Sequence, residues 1–338
     1  MESLISKYSS YSTLAQAAYA DLEKSMTNIE YTDALTNTDA QEMTGEQAIA
    51  FVSRYEVKDS KPNTPSGFSG ALFYDTVENK YVMALRGTEF ELSPDVFPDL
   101  FLTDLGDIGA DGLATRQIID MYNWFLELTT QAGETIRRID YTPTDLPFTA
   151  AELFTPSSFE LVDTGVVAAT DGELVGKTFD VTGHSLGGHL ALAMSHLAPS
   201  SVQDVYTYNA VGFDPSSAFI QGSDEFFRYL RAEIAAAMGA SDIALDWSEN
   251  TAENTFNIVT LNDIVSEIGM VPGSPPILSF SEASLVTDST VAKSLNALAA
   301  HSIIDLTRAL DVSSLLYAID PSLGVEAANA LMGNFSND

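Results

Sequence analysis

The sequence predicts an α/β protein, with a mostly parallel sheet flanked by helices, from three observations. Short apolar runs at 202–211 and 256–262 are typical of strands buried inside a parallel sheet. Helical patterns of apolar residues alternate with those runs, as they do in α/β folds. Residues 179–194 hold a β-type run, then G-x-S-x-G, then an apolar helical pattern, which places a sharp turn between a strand and a helix.

Length and composition indicate one folded domain over 1–338, with an N-terminal helical region at 1–60 packing on it. The chain has 338 residues, 45% of them hydrophobic and 19% charged, so it is not a disordered chain. No apolar stretch is long enough to cross a membrane. Because cysteine is absent, disulfides and thiolate metal sites are excluded.

The chain is strongly acidic, with 48 acidic residues against 15 basic ones and a net charge of −33. This charge repels phosphates, so it argues against nucleic acid and against anionic membranes as partners. Residues 1–8 lack the basic start and the apolar block of a signal peptide. We therefore expect secretion by a leaderless route, with a cytoplasmic protein as the alternative.

The elements before and after the G-x-S-x-G motif follow from apolar spacing and from turn residues. Strand patterns at 68–77 and 80–86 flank Glu78-Asn79, which predicts a hairpin. The predicted helices are 9–25, 45–55, 113–138, 222–240, 291–318 and 322–333, and the predicted loops are 26–44 and 89–112.

Residues 139–162 are the least regular stretch of the chain and precede the strand of the motif. Long irregular segments inside a compact domain are often functional. We therefore expect a lid-like insertion here, with packing against the core as the alternative role of its apolar side chains, Phe148, Leu153, Phe154 and Phe159.

Ser185 is the candidate nucleophile, at the centre of Gly183-His184-Ser185-Leu186-Gly187. Between a strand and a helix, this motif forms the nucleophile elbow of α/β-hydrolases, in which the serine hydroxyl stands clear of the sheet edge. The backbone N–H of the next residue, Leu186, then points at the oxyanion of a tetrahedral intermediate.

The second oxyanion donor is expected at the end of an earlier strand. The run 82–88 ends a strand with Gly87 and Thr88, a glycine followed by a hydroxyl residue. We predict that Thr88 is this donor, and a plain strand-ending turn is the alternative.

A serine hydroxyl needs a base, and histidine is the usual one. His184 is adjacent to Ser185, while His189 and His196 lie on the helix that leads away from the elbow. By elimination His301 is the predicted base, and a histidine on a helix surface is the alternative. The other three histidines are expected to pack or to support the site.

The base needs a carboxylate that holds its tautomer, and in α/β-hydrolases this acid lies between the serine and the histidine in the chain. Asp263 follows the strand pattern at 256–262, where loops meet above an α/β sheet. We predict Asp263 as the acid. Asp214, which precedes a proline and is suited to capping a helix, and Glu267 are the alternatives.

These motifs resemble the class 3 lipase family of α/β-hydrolases, over about 67–321 of the chain. Its R-G-T, elbow and N-D-x-V motifs are similar to Arg86-Gly87-Thr88, Gly183–Gly188 and the segment from Asn262. Within the family, 183–192, 206–210 and 301–312 are similar to lipase modules exported by type I systems and to bacterial phospholipases A1. Calcium-binding nonapeptide repeats, frequent in those exported relatives, do not occur here.

The resemblance implies a serine ester hydrolase that acts on acylglycerols or glycerophospholipids at a lipid interface, without a required cofactor. Thioesterase or peptidase chemistry with the same triad, and a catalytically silent lipase-like binding module, are the alternatives. Aspartates in 95–111 raise the possibility of bound calcium, with a solvated acidic loop as the favoured interpretation. The calcium candidates are Asp104, Asp107 and Asp111, beside Asp95 and Asp99.

Overall fold

The structure is a computed structural model, and it describes residues 3–37, 42–87, 114–142, 159–213, 221–238, 255–260, 263, 266, 277–279 and 301–323. Within these ranges the strands form a seven-stranded sheet and a separate two-stranded sheet. In the same ranges, no helix has the length and the apolar character that crossing a membrane requires.

The helices are α1 (Leu4–Ala17), α2 (Asn28–Thr36), α3 (Gly45–Arg54), α4 (Thr115–Thr129), α5 (Leu186–Leu197), α6 (Gln221–Met238) and α7 (Ile303–Ile319). The strands are β1 (Tyr55–Lys61), β2 (Gly70–Asp75), β3 (Lys80–Leu85), β4 (Thr135–Tyr141), β5 (Phe159–Val167), β6 (Phe179–His184), β7 (Val202–Tyr208), β8 (Thr255–Thr260) and β9 (Ile277–Ser279).

The large sheet has the order β1-β2-β3-β6-β7-β8-β9. Strands β3, β6, β7, β8 and β9 run parallel to one another, and β1 and β2 add an antiparallel edge. The carboxyl ends of the parallel strands therefore share one rim, the place where ligands bind in open α/β sheets. This is the predicted mostly parallel sheet, and the fold class is confirmed.

Two hydrophobic cores cover the two faces of this sheet because successive strand residues point to opposite faces. Met83 and Val181 belong to the core that contains α4 and α5. Val82 and Tyr206 belong to the other core, which contains α1 and the start of α7. Helix α1, from the N-terminal region, therefore packs directly on the sheet that carries the serine motif.

The N-terminal region is more helical than the sequence pattern indicates. Helix α1 begins at Leu4, after the N-cap residue Ser3, and ends at Ala17. It therefore begins and ends earlier in the chain than the predicted helix at 9–25. The predicted loop at 26–44 is wrong in part, because α2 lies inside it. A capping box of Thr27 and Glu30 starts α2, and each of these side chains bonds to the other's backbone N–H.

The predicted hairpin is confirmed as β2 and β3, which pair with Gly70 opposite Leu85. The edge strand β1 was not predicted. Its sequence, Tyr-Glu-Val-Lys-Asp-Ser-Lys, is too polar for the apolar alternation of a half-buried strand, as is common at a sheet edge.

The long helix predicted at 113–138 is wrong beyond Thr129, where α4 ends. A turn with Gly133 at φ +85° follows, and the chain continues as β4. Glycine adopts this positive φ readily, whereas residues with a side chain rarely do. A right-handed helix needs a negative φ at every residue, so it cannot continue through Gly133.

The predicted irregular segment at 139–162 has strand structure at both ends, because β4 and β5 pair antiparallel, with Tyr141 opposite Phe159. Phe159 is 2% exposed and packs on Phe226, so it is a core residue and not part of a lid. Residues 143–158, with the other apolar side chains of the predicted lid, lie outside the described residues.

In the C-terminal half, α6 and α7 lie where helices are predicted. Both ends of α6 and the carboxyl end of α7 are within two residues of the predicted bounds. Residues 291–300 and 324–333 of the other helical predictions lie outside the described residues.

Candidate active site

Ser185 lies in the predicted turn between β6 and α5, with φ 57° and ψ −125°. A residue with a side chain adopts this conformation at a cost of about 1–3 kcal/mol, so the surroundings must hold it there. The backbone N–H of Ser185 donates to the carbonyl of Tyr208 on β7 at 3.0 Å, and its carbonyl accepts from Gly188 at 3.0 Å. The sequence-predicted elbow is therefore formed.

The glycines of the motif are required by close backbone contacts. A Cβ on Gly183 would lie 2.1 Å from the carbonyl oxygen of Gly187, and one on Gly187 would lie 2.1 Å from that of Leu85. Real Cβ atoms do not approach backbone oxygens so closely. The G-x-S-x-G pattern thus follows from the tight packing of β6, α5 and the end of β3.

Leu186 is the first residue of α5, so its N–H belongs to the helix N-terminus, where backbone donors have no acceptor inside the helix. The N–H groups of Gly188 and His189, further along the first turn, bond to the carbonyl of Ser185. The N–H of Leu186 is thus in the position that the elbow motif predicts for an oxyanion donor.

The carboxyl end of β3 lies against Ser185. A Cβ on Gly87 would be 2.6 Å from the carbonyl oxygen of His184 and 3.3 Å from Cβ of Ser185. The strand end that leads into Thr88 therefore borders Ser185. Thr88 itself lies outside the described residues.

Asp263 and His301, 38 residues apart in the sequence, meet at the same rim. Nδ1 of His301 is 2.9 Å from Oδ1 of Asp263, and both residues are buried. Because a carboxylate only accepts hydrogen bonds, Nδ1–H is the donor and Nε2 is left as the basic nitrogen. The backbone N–H of Ser266 donates to Oδ2 of Asp263 at 2.9 Å and fixes the carboxylate.

Nε2 of His301 is buried and has no hydrogen-bond partner among the described residues. A hydrogen bond between Nε2 and Oγ of Ser185 is therefore not formed in this structure. The ring of His301 lies 4.6 Å from the ring of His184, the residue before the serine. Catalytic hydrogen bonds are often long before substrate binds and tighten in the complex.

The other three histidines are buried within the fold, as predicted, and burial lowers the pKa of each. The pKa of His189 falls to about 4 and that of His196 to about 3. The rings of both pack against Phe213, in the core that contains α4 and α5. These two histidines serve packing, whereas His184 contacts the site.

Tyr19, just beyond α1, reaches the site and was not predicted. Its hydroxyl is 2.9 Å from Nδ1 of His184. No motif marks this residue, because its role depends on how the N-terminal region folds back over the sheet.

The alternative acids Asp214 and Glu267 lie outside the described residues, as do the calcium candidates between 95 and 111. Among the residues that are described, no group of three or more histidine, aspartate or glutamate side chains is arranged to hold a metal ion.

No family model and no curated protein sequence matches this chain. Solved structures with a likeness to it include fungal lipases. Lip2 lipase from Yarrowia lipolytica is 15% identical, with a TM-score of 0.40, over 88% of this chain and 93% of the lipase. The lipase in the Rhizomucor miehei lipase propeptide complex is 12% identical, with a TM-score of 0.36, over 90% of this chain and 78% of that one.

The lipase from Rhizopus microsporus var. chinensis is 13% identical, with a TM-score of 0.36, over 90% of this chain and 85% of that one. By their names these solved proteins are lipases. The α/β-hydrolase fold of this chain rests on its own strand order and on the serine elbow between β6 and α5.

Proposed function

We propose that the protein is a serine ester hydrolase that cleaves carboxylic esters of acylglycerols or glycerophospholipids. The observation that carries this proposal is the juxtaposition of two features at one rim of the sheet. One is Ser185 in its strained elbow, and the other is the buried pair of His301 and Asp263. A nucleophile, a base and an orienting acid are the set that acyl transfer needs.

In the proposed mechanism, Nε2 of His301 takes the proton of Ser185 as Oγ attacks the ester carbonyl carbon. The N–H groups of Leu186 and Thr88 stabilise the oxyanion, each contributing about 3 kcal/mol. His301 then gives its proton to the departing alcohol as the ester C–O bond breaks. Water attacks the acyl enzyme and loses a proton to His301, which returns it to Oγ of Ser185 as the acyl–Oγ bond breaks and the carboxylic acid leaves. Asp263 stabilises each imidazolium.

The same groups serve thioesters and amides, because the triad specifies acyl transfer and not the leaving group. A substrate panel decides between these classes. It comprises p-nitrophenyl esters, a triglyceride, phosphatidylcholine and an acyl-thioester, each measured with and without calcium. We expect the oxygen esters of glycerolipids to be the best substrates by kcat/KM.

The panel is repeated with two serine variants. Ser185→Ala is expected to lower kcat by about 10⁴-fold or more, because the acyl acceptor is gone. Ser195→Ala is the matched control: this serine is buried on α5, the helix that follows Ser185, and its hydroxyl donates to the carbonyl of Leu192. Full esterase activity in Ser185→Ala would overturn the proposal.

A further inference from the structure

Tyr19 connects the N-terminal region to two parts of the site. Its hydroxyl lies 2.9 Å from Nδ1 of His184 and directly against Gly87, where an added Cβ would be 2.5 Å away. Tyr19 and His184 are both buried, with exposed fractions of 4% and 3%. The hydroxyl therefore sits between the serine elbow and the strand end that leads to Thr88.

The hydrogen bonds of His184 determine its tautomer. Nε2 is 2.7 Å from the backbone carbonyl oxygen of His301, and a carbonyl only accepts, so Nε2 carries the proton. Nδ1 is then the acceptor, and the hydroxyl of Tyr19 donates to it. The order of donation runs from Tyr19 to His184 to the backbone of His301.

His184 stays neutral in this arrangement. Burial lowers its pKa well below the usual value, and the neighbouring His301 lowers it further, although the bond to the His301 carbonyl acts in the opposite direction. A neutral imidazole with one fixed donor and one fixed acceptor cannot replace His301 as the base. It can hold a backbone group in place.

We propose that Tyr19 and His184 are positioning residues that fix the backbone of the catalytic base through this chain of two hydrogen bonds. The inference rests on the proposed function. Asp263 holds the imidazole ring of His301 through Nδ1, and His184 holds the backbone carbonyl of His301. The position of Nε2 is therefore restrained through both the ring and the backbone of His301. Small displacements of a catalytic group cost up to about 10²-fold in rate.

Variants of His184 separate its two bonds. In His184→Gln the side-chain amide reaches the place of Nε2 and still donates to the His301 carbonyl. In His184→Asn the amide reaches only the place of Nδ1, so the buried carbonyl loses its donor. We expect kcat to fall about tenfold or more in the asparagine variant, with KM unchanged, and glutamine to restore a large part of the loss.

Tyr19→Phe removes the first donor and keeps the ring. We expect kcat and the rate of Ser185 modification by a fluorophosphonate to fall together, about tenfold, with unchanged KM. Tyr31→Phe is the matched control, because the buried hydroxyl of Tyr31 has no hydrogen-bond partner among the described residues. Equal kcat in the two phenylalanine variants, or in the two His184 variants, would overturn the positioning role.

Long-range ¹H–¹⁵N NMR of the imidazoles gives a readout that does not depend on activity, with the His184 signal assigned by its loss in His184→Gln. A proton on Nε2 of His184 supports the chain of bonds, and a proton on Nδ1 overturns it. A parent protein that neither hydrolyses esters nor is labelled at Ser185 overturns the proposed hydrolase function instead.

Discussion

At the scale of single residues, Asp263 is the acid of the proposed triad. Its Oδ1 accepts from Nδ1–H of His301, which leaves the lone pair of Nε2 on the side where a base is needed. Oδ2 is held by the backbone N–H of Ser266, so the carboxylate cannot rotate freely away from the imidazole.

Replacing Asp263 by asparagine keeps the shape and removes the charge. We expect Asp263→Asn to lower kcat by about 10³- to 10⁴-fold with little change in KM, because the wrong tautomer of His301 is no longer disfavoured. Steady-state kinetics on a soluble ester measure this, with the exposed Asp320→Asn as the control. Wild-type kcat in Asp263→Asn would show that another acid serves His301.

The glycines of the elbow make a second prediction at this scale. Gly187→Ala forces a methyl group to within 2.1 Å of the carbonyl oxygen of Leu85, so we expect a loss of about 3 kcal/mol or more of unfolding free energy. Gly45→Ala is the control, since nothing lies within 4 Å of the added Cβ. Urea unfolding that gives equal midpoints would contradict the tight contact of β3 with α5.

At the scale of elements, the carboxylate of Asp180 links α1 to the sheet through a hydrogen bond and links β3 to β6 through an ion pair. The carboxylate of Asp180, on β6, is fully buried and accepts from Tyr11 of α1 and from Lys80 of β3, the latter at 2.9 Å. Burial lowers the pKa of Lys80, but the hydrogen bond and charge of Asp180 and the charge of Asp204 outweigh it, so the pKa is raised.

Lys80→Met leaves a buried carboxylate without its cation, so we expect about 3 kcal/mol of destabilisation. The folded-state pKa of Lys80 is above the usual 10.5. The contribution of protonated Lys80 to the free energy of unfolding is therefore complete below pH 10.5 and is lost as the pH rises further. Urea unfolding between pH 8 and 11 measures it. The exposed pair Lys24–Glu173 gives the control Lys24→Met, with under about 1 kcal/mol expected.

Sequence patterns predicted the elements that are apolar and locally determined. The elbow, β2, β3, β7, β8 and α6 belong to this group, because burial on the sheet imposes a clear apolar pattern. The edge strand β1 is polar. The strand pair β4 and β5 depends on a turn at Gly133 and on pairing partners 18 to 32 residues away. Neither kind of element leaves a local apolar signal.

The same division applies to the site. Ser185, Asp263 and His301 follow from motif, chain order and elimination among four histidines. Tyr19 follows from none of these, because only the packing of the N-terminal region on the sheet brings its hydroxyl to His184. For helix α2, which was also missed, the sequence did contain a signal: Thr27-x-x-Glu30 matches the pattern of a capping box.

For the whole molecule, buried neutral histidines link stability to pH. The pKa of His196 is about 3 in the folded protein, lowered by burial and by the charge of Arg231, against 6.5 for an exposed histidine. Between pH 6.5 and about 3 the unfolded chain therefore binds a proton that the folded protein does not. The stability contribution is complete above pH 6.5 and is lost as the pH falls through this window.

The many carboxylates of the chain also titrate in acid and change the stability of any variant in the same way. The effect of His196 is therefore measured as the difference between His196→Leu and the parent protein. We expect the pH dependence of unfolding free energy near pH 5 to be shallower in His196→Leu by about one proton, or about 1.4 kcal/mol per pH unit. Urea unfolding at several pH values gives both curves. Parallel curves would contradict a neutral, buried His196.

The most direct measurement of the central claim is the modification of Ser185 by a fluorophosphonate, located by mass spectrometry, in the parent and in His301→Gln. An activated serine, deprotonated by His301, predicts a single adduct on the peptide of Ser185 in the parent and a rate lower by about 10³-fold or more in the variant. No adduct on Ser185, or equal rates in the two proteins, would contradict it.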